Sequence, residues 1–205
     1  GSEMCIRDSR QSPQCEIVSY ICENLKVNCK VFMPFGGDTS VIEHIKENKY
    51  TEIIRVRPGY NNIIVARARE YAENRRCGYV PFGMECAENV NVTSEQVQNI
   101  PEECSRVVVP VGSGMSFSSI VTGMNKYEIN KPLLGVRVGK DPSKIINEYA
   151  FGLDLMDYEI VTSSVDYHES VDAWVGDYNL DPIYEAKCKE FLRPGDLLWV
   201  VGHRV

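Results

Sequence analysis

The sequence predicts an α/β fold in which mostly parallel sheets, flanked by helices, form two lobes. Segments with strand and helix patterns alternate along all 205 residues, as in chains that build parallel sheets. The segment "SRVVVPV" (105–111) is apolar almost throughout, which is typical of a strand buried on both faces. Several helical segments begin at capping residues, such as Ser12 followed by Pro13.

The composition narrows the class of protein before any motif is considered. Hydrophobic residues make up 43% of the chain, and its net charge of -7 argues against binding to a nucleic-acid backbone. No apolar run approaches the roughly 20 residues that span a bilayer, so no membrane partner is expected. The eight cysteines include no CxxC pair, which argues against a metal site and favours free thiols in a reducing, cytoplasmic compartment.

The first lobe is predicted over residues 9–60. Residues 1–8 are left out of the fold because Gly1 and Ser2 resemble a tag remnant and the next letters resemble a translated adapter. The segments "SPQCEIVSYICENLKVN", "CKVFMP", "VIEHIKENK" and "TEIIRV" then predict helix, strand, helix and strand over 12–56. This order is half of a parallel α/β domain.

The second, larger lobe is predicted over residues 61–205. Its first helix, 61–76, is expected to turn Ile63, Ile64, Ala68 and Tyr71 inward. Further helices are predicted over 116–127, 141–150 and 184–192, and further strands over 105–111, 132–139, 158–164 and 196–202. The polar run "DYHE" (166–169) suits a loop near a site, but it receives no role. His44, His168 and His203 are scattered and are interpreted as structural or surface residues.

The sequence "VGSGMSFSS" (111–119) places a glycine-rich turn between a predicted strand and a predicted helix. Glycine lets a backbone approach a ligand, and a helix N-terminus offers unpaired N–H groups to a phosphate. Ser113, Ser116, Ser118 and Ser119 could add hydroxyl donors. The turn is neither a P-loop nor a full GxGxxG fingerprint. A tight packing turn and an anion cradle therefore both remain open.

A second segment, "LDPIYEAK" (Leu180–Lys187), gives the glycine turn a family context. Together they resemble the fold-type-II pyridoxal-phosphate (PLP) enzymes, in the branch of 1-aminocyclopropane-1-carboxylate deaminase and D-cysteine desulfhydrase. "SRQSPQ", "VPFGMEC" and "PGDLLWVVGHR" resemble family segments in the same order from residue 9 to 205. The likeness is greatest to phage-like or metagenomic members, and it implies the tryptophan synthase beta-like PLP fold.

The resemblance implies a role for each matching position. The cofactor phosphate would be held by the turn residues Gly112, Ser113, Gly114, Met115 and Ser116. Glu185 would face the pyridine nitrogen and keep it protonated. Tyr184 would act as a catalytic residue that transfers a proton. Ser12, also assigned to catalysis, would bind the substrate carboxylate together with Gln14. The implied reaction is that of a lyase or deaminase acting on a small amino acid, and no metal is implied.

The chain departs from the family pattern at the Schiff-base lysine. In the family this lysine precedes the helix that matches "SPQ", and Lys26, Lys30 and Lys46 fall in other elements. The sequence therefore predicts the C-terminal two-thirds of a PLP enzyme, inactive as it stands. A missing part would expose apolar surface, so self-association into a homo-oligomer is expected. The alternative is a non-catalytic binder of a phosphorylated small molecule, or an assembly fragment.

Overall fold

The computed structural model describes residues 3–7, 10, 13–57 and 61–201, with the side chains of 61 and 62 excluded. The chain divides into two compact units, Gly1–Glu85 and Cys86–Val205. The sequence interpretation put the boundary near residue 60. The helix that follows this point packs against the sheet of the first unit, and this packing places the boundary 25 residues later.

The first unit is a four-stranded parallel sheet with helices on both faces. Its elements in chain order are β1 (Glu3–Arg7), α1 (Pro13–Leu25), β2 (Asn28–Pro34), α2 (Ser40–Glu47), β3 (Thr51–Val56), α3 (Asn61–Arg75) and β4 (Gly78–Val80). The strand order is β3-β2-β1-β4. Thr39 caps α2, since its hydroxyl accepts the Ile42 N–H, as the sequence predicts for this position.

Strand β1 shows how the two faces are filled. Successive side chains point to opposite faces of a strand, so Cys5 and Ile6 enter different cores. Ile6 packs with α1 and α2 in one apolar cluster, whereas Cys5 packs with Ile64 and Ala68 of α3 in the other. Both β1 residues are fully buried, and β1 pairs with β2 and β4. Leaving residues 1–8 out of the fold was therefore wrong, because Glu3–Arg7 is an inner strand.

The second unit contains another four-stranded parallel sheet, with the order β10-β5-β6-β7. Its elements are α4 (Ala87–Ser94), β5 (Arg106–Val111), α5 (Met115–Lys126), β6 (Leu133–Arg137), α6 (Ser143–Tyr149), β7 (Tyr158–Thr162), the hairpin β8 (Trp174–Val175) and β9 (Tyr178–Asn179), and β10 (Asp196–Leu198). The predicted helix over 184–192 is a 3-10 helix, Glu185–Phe191.

Helix α5 is the centre of the larger core in this unit. Phe117, Ile120 and Val121 are fully buried against β5 and β6. The opposite face of the sheet packs against Cys188 from the 3-10 helix. No helix within the described part of the chain is long and apolar enough to cross a membrane.

Candidate functional site

The glycine turn lies at the carboxyl edge of the second sheet, where β5 and β6 end side by side. A Cβ built on Gly139, which follows β6, would lie 3.7 Å from Tyr167 Cδ2 and 4.0 Å from the Gly112 carbonyl oxygen. Tyr167 belongs to the segment that follows β7. Segments after three neighbouring strands therefore meet at one edge, the usual place for a ligand in an open α/β sheet.

The backbone of the turn requires glycine at one position. Gly114 has φ 104°, a conformation that side chains rarely adopt. A Cβ there would also lie 3.1 Å from Pro142 Cβ and 3.3 Å from Ile146 Cγ1. The Met115 side chain is buried, so Met115 can offer a ligand only its backbone. Its N–H reaches the Ser113 hydroxyl at 3.4 Å. The packing interpretation of Gly114 is thus confirmed, and it leaves the first turn of α5 as a source of N–H donors.

The serines divide into two pairs with different roles. Ser118 Oγ donates to the Gly114 carbonyl at 2.9 Å, and Ser119 Oγ donates to the Met115 carbonyl at 2.8 Å. Both are fully buried, so the expectation that they donate to a ligand was wrong: each proton is held by the preceding turn of the helix. Ser113 and Ser116 are half-buried and retain positions from which a hydroxyl can reach a ligand.

Tyr184 is brought against the glycine turn from the C-terminal part of the chain. A Cβ on Gly112 would lie 3.0 Å from Tyr184 Cε1, so the absence of a side chain at Gly112 admits the ring. The buried Asp181 accepts the N–H groups of Ile183 at 2.8 Å and Tyr184 at 3.0 Å, which fixes the start of the motif. The phenolic oxygen of Tyr184 lies 3.2 Å from that of Tyr167. A proton can therefore be held or exchanged between these two hydroxyls.

Glu185, the next residue, is completely buried. Its Oε1 accepts the Val201 N–H at 2.7 Å, which ties the 3-10 helix to the chain after β10. Burial, with the Glu185 charge as a further cause, raises the pKa of the Cys188 thiol, so that thiol stays protonated. The structure thus places a buried carboxylate directly after the tyrosine that contacts the turn.

Lys187 is a buried residue for which the sequence analysis assigned no role. Its Nζ donates to the carbonyl oxygens of Asp166 at 2.6 Å and Tyr167 at 3.2 Å. Burial lowers the pKa of this amine. The contacts fasten the 166–167 segment, and with it Tyr167, to the 3-10 helix. The polar run 166–169 signalled a loop near a site, but nothing in the spacing indicated that a lysine would anchor it.

The predicted substrate-carboxylate pair belongs to the first unit. Gln14 lies in the first turn of α1, and its Nε2 donates to the Pro81 carbonyl at 3.2 Å. This bond joins the "SPQ" and "VPFG" segments singled out in the sequence. Ser12 lies outside the described residues.

Comparisons with known proteins bear on the fold. No family model and no curated protein matches the sequence. Among solved structures, an ACC deaminase homologue is 14% identical with a TM-score of 0.74, over 98% of this chain and 73% of that one. Maize serine racemase is 12% identical with a TM-score of 0.56, over 78% of this chain and 56% of that one. A bacterial-type threonine deaminase labelled T.th. is 14% identical with a TM-score of 0.55, over 78% and 62%.

These likenesses show the fold: two parallel α/β sheets flanked by helices, shared with these deaminase and racemase structures. The predicted fold class is therefore confirmed. The aligned part of this chain spans less than two thirds of the racemase and of the threonine deaminase.

Proposed function

We propose that the second unit binds the phosphate of pyridoxal phosphate at Gly112–Ser116, and that the protein is a PLP-dependent lyase or deaminase for a small amino acid. The observation that carries the proposal is the meeting of the glycine turn, the start of α5 and Tyr184 at the carboxyl edge of the sheet. The fold shared with a deaminase homologue and a racemase supports it.

The donor set fits a phosphate dianion. The first N–H groups of a helix have no partner within the helix and carry the positive end of its dipole. Helix α5 has 12 residues, and the half-buried Ser113 and Ser116 stand at its start. Backbone N–H groups and two hydroxyls can therefore hold the phosphate, without Ser118 and Ser119.

Tyr184 and Glu185 are proposed for the other parts of the cofactor site. Bound PLP supplies an electron sink, which a carboxylate at its pyridine nitrogen strengthens by keeping that nitrogen protonated. Glu185 is the buried carboxylate of the motif. Tyr184 is proposed to hold and move a proton at its phenolic oxygen, with Tyr167 as its hydrogen-bond partner at 3.2 Å.

Ser12 and Gln14 are proposed to bind the substrate carboxylate. An amide nitrogen carries two protons. Gln14 Nε2 donates one of them to Pro81, which orients the side chain and leaves the second proton for a ligand. No lysine falls at the family's Schiff-base position, so we propose that this chain binds without turnover. The alternative, a non-catalytic binder of another phosphorylated small molecule, rests on the same turn.

The phosphate site is tested by titrating the protein with PLP, inorganic phosphate and pyridoxal, which lacks the phosphate, by calorimetry. We expect PLP and phosphate to bind and pyridoxal to bind at least about tenfold more weakly than PLP, a difference of about 1.4 kcal/mol. Phosphate binding with no preference for PLP would favour the alternative function. No response to either phosphate compound would refute both.

The site is located by Ser116→Asp, which adds a negative charge without altering a glycine. An acidic residue in the first turn suits a helix, so the fold should be kept while phosphate is repelled. Ser40→Asp is the matched control, because Ser40 begins α2 in the other unit. Gly114→Asp should also abolish binding, but it strains the turn as well. Equal affinities in the Ser116→Asp and Ser40→Asp variants would refute the proposed location.

A further inference from the structure

The first unit contains a cluster of soft and acidic side chains on the face of the sheet that α3 covers. In the parallel pairing of β1 with β4, Cys5 lies opposite Tyr79. Residues two apart on a strand share a face, so Glu3 joins Cys5 on β1, and Cys77 joins Tyr79 on the other chain segment. The register thus places Glu3, Cys5 and Cys77 together.

The distances agree with this placement. The Cys5 and Cys77 sulfur atoms are 3.1 Å apart. A carboxylate oxygen of Glu3 and the two sulfur atoms all lie within 4.8 Å of one another. Cys5 is fully buried, whereas Glu3 and Cys77 are half-buried, so the cluster is reachable from one side.

The Glu3 carboxylate is not fully satisfied by its surroundings. Its Oε1 is buried and has no hydrogen-bond partner among the described residues. Burial and a hydrogen bond to Glu3 raise the pKa of Tyr71, which lies beside the same carboxylate. A buried carboxylate oxygen with no partner costs free energy, which a cation placed between it and the two sulfur atoms would remove.

We propose that Glu3, Cys5 and Cys77 bind one Zn²⁺ or a similar borderline-soft divalent cation, with water in the fourth position. Thiolate and carboxylate are both zinc ligands, and a tetrahedral site with Zn–S bonds of about 2.3 Å sets its sulfur atoms roughly 3.8 Å apart. The two sulfur atoms need to separate by only about 0.7 Å to reach that geometry. A disulfide would need them to approach to about 2.05 Å and would leave Glu3 Oε1 unsatisfied.

Binding is balanced as follows. Each thiol loses its proton to solvent, so two protons leave as one dication enters. Two thiolates and one carboxylate then carry three negative charges against the two positive charges of the ion. Lys30, paired with Glu52, lies on the neighbouring strand β2 directly opposite Cys5 and supplies a positive charge nearby.

The test is a titration of the full, reduced chain with Co²⁺, which reports tetrahedral thiolate coordination through its visible absorption, followed by displacement with Zn²⁺. We expect one equivalent of Co²⁺ to bind. Cys77→Ser should weaken binding at least about 100-fold, and Glu3→Gln at least about tenfold, since even losses outside the ligand shell reach 10–100-fold. Cys86→Ser removes another half-buried thiol and should leave the affinity unchanged.

The fold of each variant is checked by circular dichroism, so that loss of binding is not confused with unfolding. The proposal is overturned if the reduced protein binds no Co²⁺, or if Cys77→Ser binds as tightly as the parent chain. It is also overturned if Glu3→Gln has no effect, because the site would then lack its carboxylate. Loss of two thiols to a Cys5–Cys77 disulfide, with no Co²⁺ bound after reduction, would identify a redox pair instead.

Discussion

The ion pair between Arg106 and Asp196 joins β5 to the edge strand β10, and its loss should destabilise the second unit. Arg106 Nε donates to Asp196 Oδ1 at 3.1 Å, and Nη2 donates to Oδ2 at 2.6 Å. The side chains are only 15% and 4% exposed. Asp196→Asn keeps the shape but leaves the arginine charge without its counter-ion.

The size of the effect follows from that burial. Removing one partner of a buried ion pair costs about 3–5 kcal/mol. Arg106 keeps a bond to the Phe191 carbonyl at 2.9 Å and some contact with solvent, so we expect a loss of about 3 kcal/mol. Glu95→Gln is the control, since its ion pair with Lys126 is 47% and 54% exposed. That change should cost at most about 1 kcal/mol.

The assay is urea unfolding at neutral pH and in acid. Burial opposes ionisation of Asp196, but hydrogen bonds from Arg106 and the Arg193 N–H outweigh it and lower its pKa from 3.8. The stabilisation is therefore full above pH 3.8 and disappears as the pH falls through the lowered value. The difference between the parent chain and Asp196→Asn should shrink in acid. A neutral-pH loss no larger than that of Glu95→Gln would refute this reasoning.

Three further predictions concern packing and buried titratable groups. Gly123→Ala should lower the free energy of unfolding by about 1–3 kcal/mol, because a Cβ would lie 2.3 Å from the Ser94 carbonyl oxygen, and urea unfolding measures it. Lys187→Met should cost about 1–3 kcal/mol in the same assay, since it leaves carbonyls of the 166–167 segment unpaired. Burial raises the pKa of Cys29 from 9.0 to about 12, so this thiol's stabilisation is lost as pH rises through that range. Cys29→Ala should remove a slope of up to about 1.4 kcal/mol per pH unit in unfolding measured above pH 9. Gly123→Ala or Lys187→Met at parental stability, or an unchanged alkaline slope in Cys29→Ala, would contradict the corresponding argument.

Much of the fold could be predicted from periodicity, but the buried faces could not always be. The spacing of apolar residues predicts α1, α2, β2 and β3 over 12–56, and all four are present. In α3 the same reasoning turned Ile63 inward, yet Ile63 is 47% exposed while Ile64 and Ala68 are buried. α3 is mostly charged outside this pair, so its sequence carries little information about which face meets the sheet.

The candidate site was predictable where backbone geometry determines the residue type. Gly114 occupies a left-handed conformation, and the turn that needs it is visible in the sequence. The contacts of Tyr184 with Gly112 and Tyr167 depend on the packing of segments far apart in the chain, which spacing does not encode. Ser118 and Ser119 show the opposite error, because a serine within a helix can bond to the preceding turn as readily as to a ligand.

The division into two units gives each part of the molecule its own optical signal. Both tryptophans, Trp174 and Trp199, lie in the unit Cys86–Val205, and Trp199 packs against its main core. Five of the eight cysteines lie in the unit Gly1–Glu85, and four of these five are buried. Tryptophan emission therefore follows the unfolding of one unit, while the rate of thiol modification is weighted toward the opening of the other. A ligand for the glycine turn and a metal for the cysteine cluster can be assigned to their units in one sample.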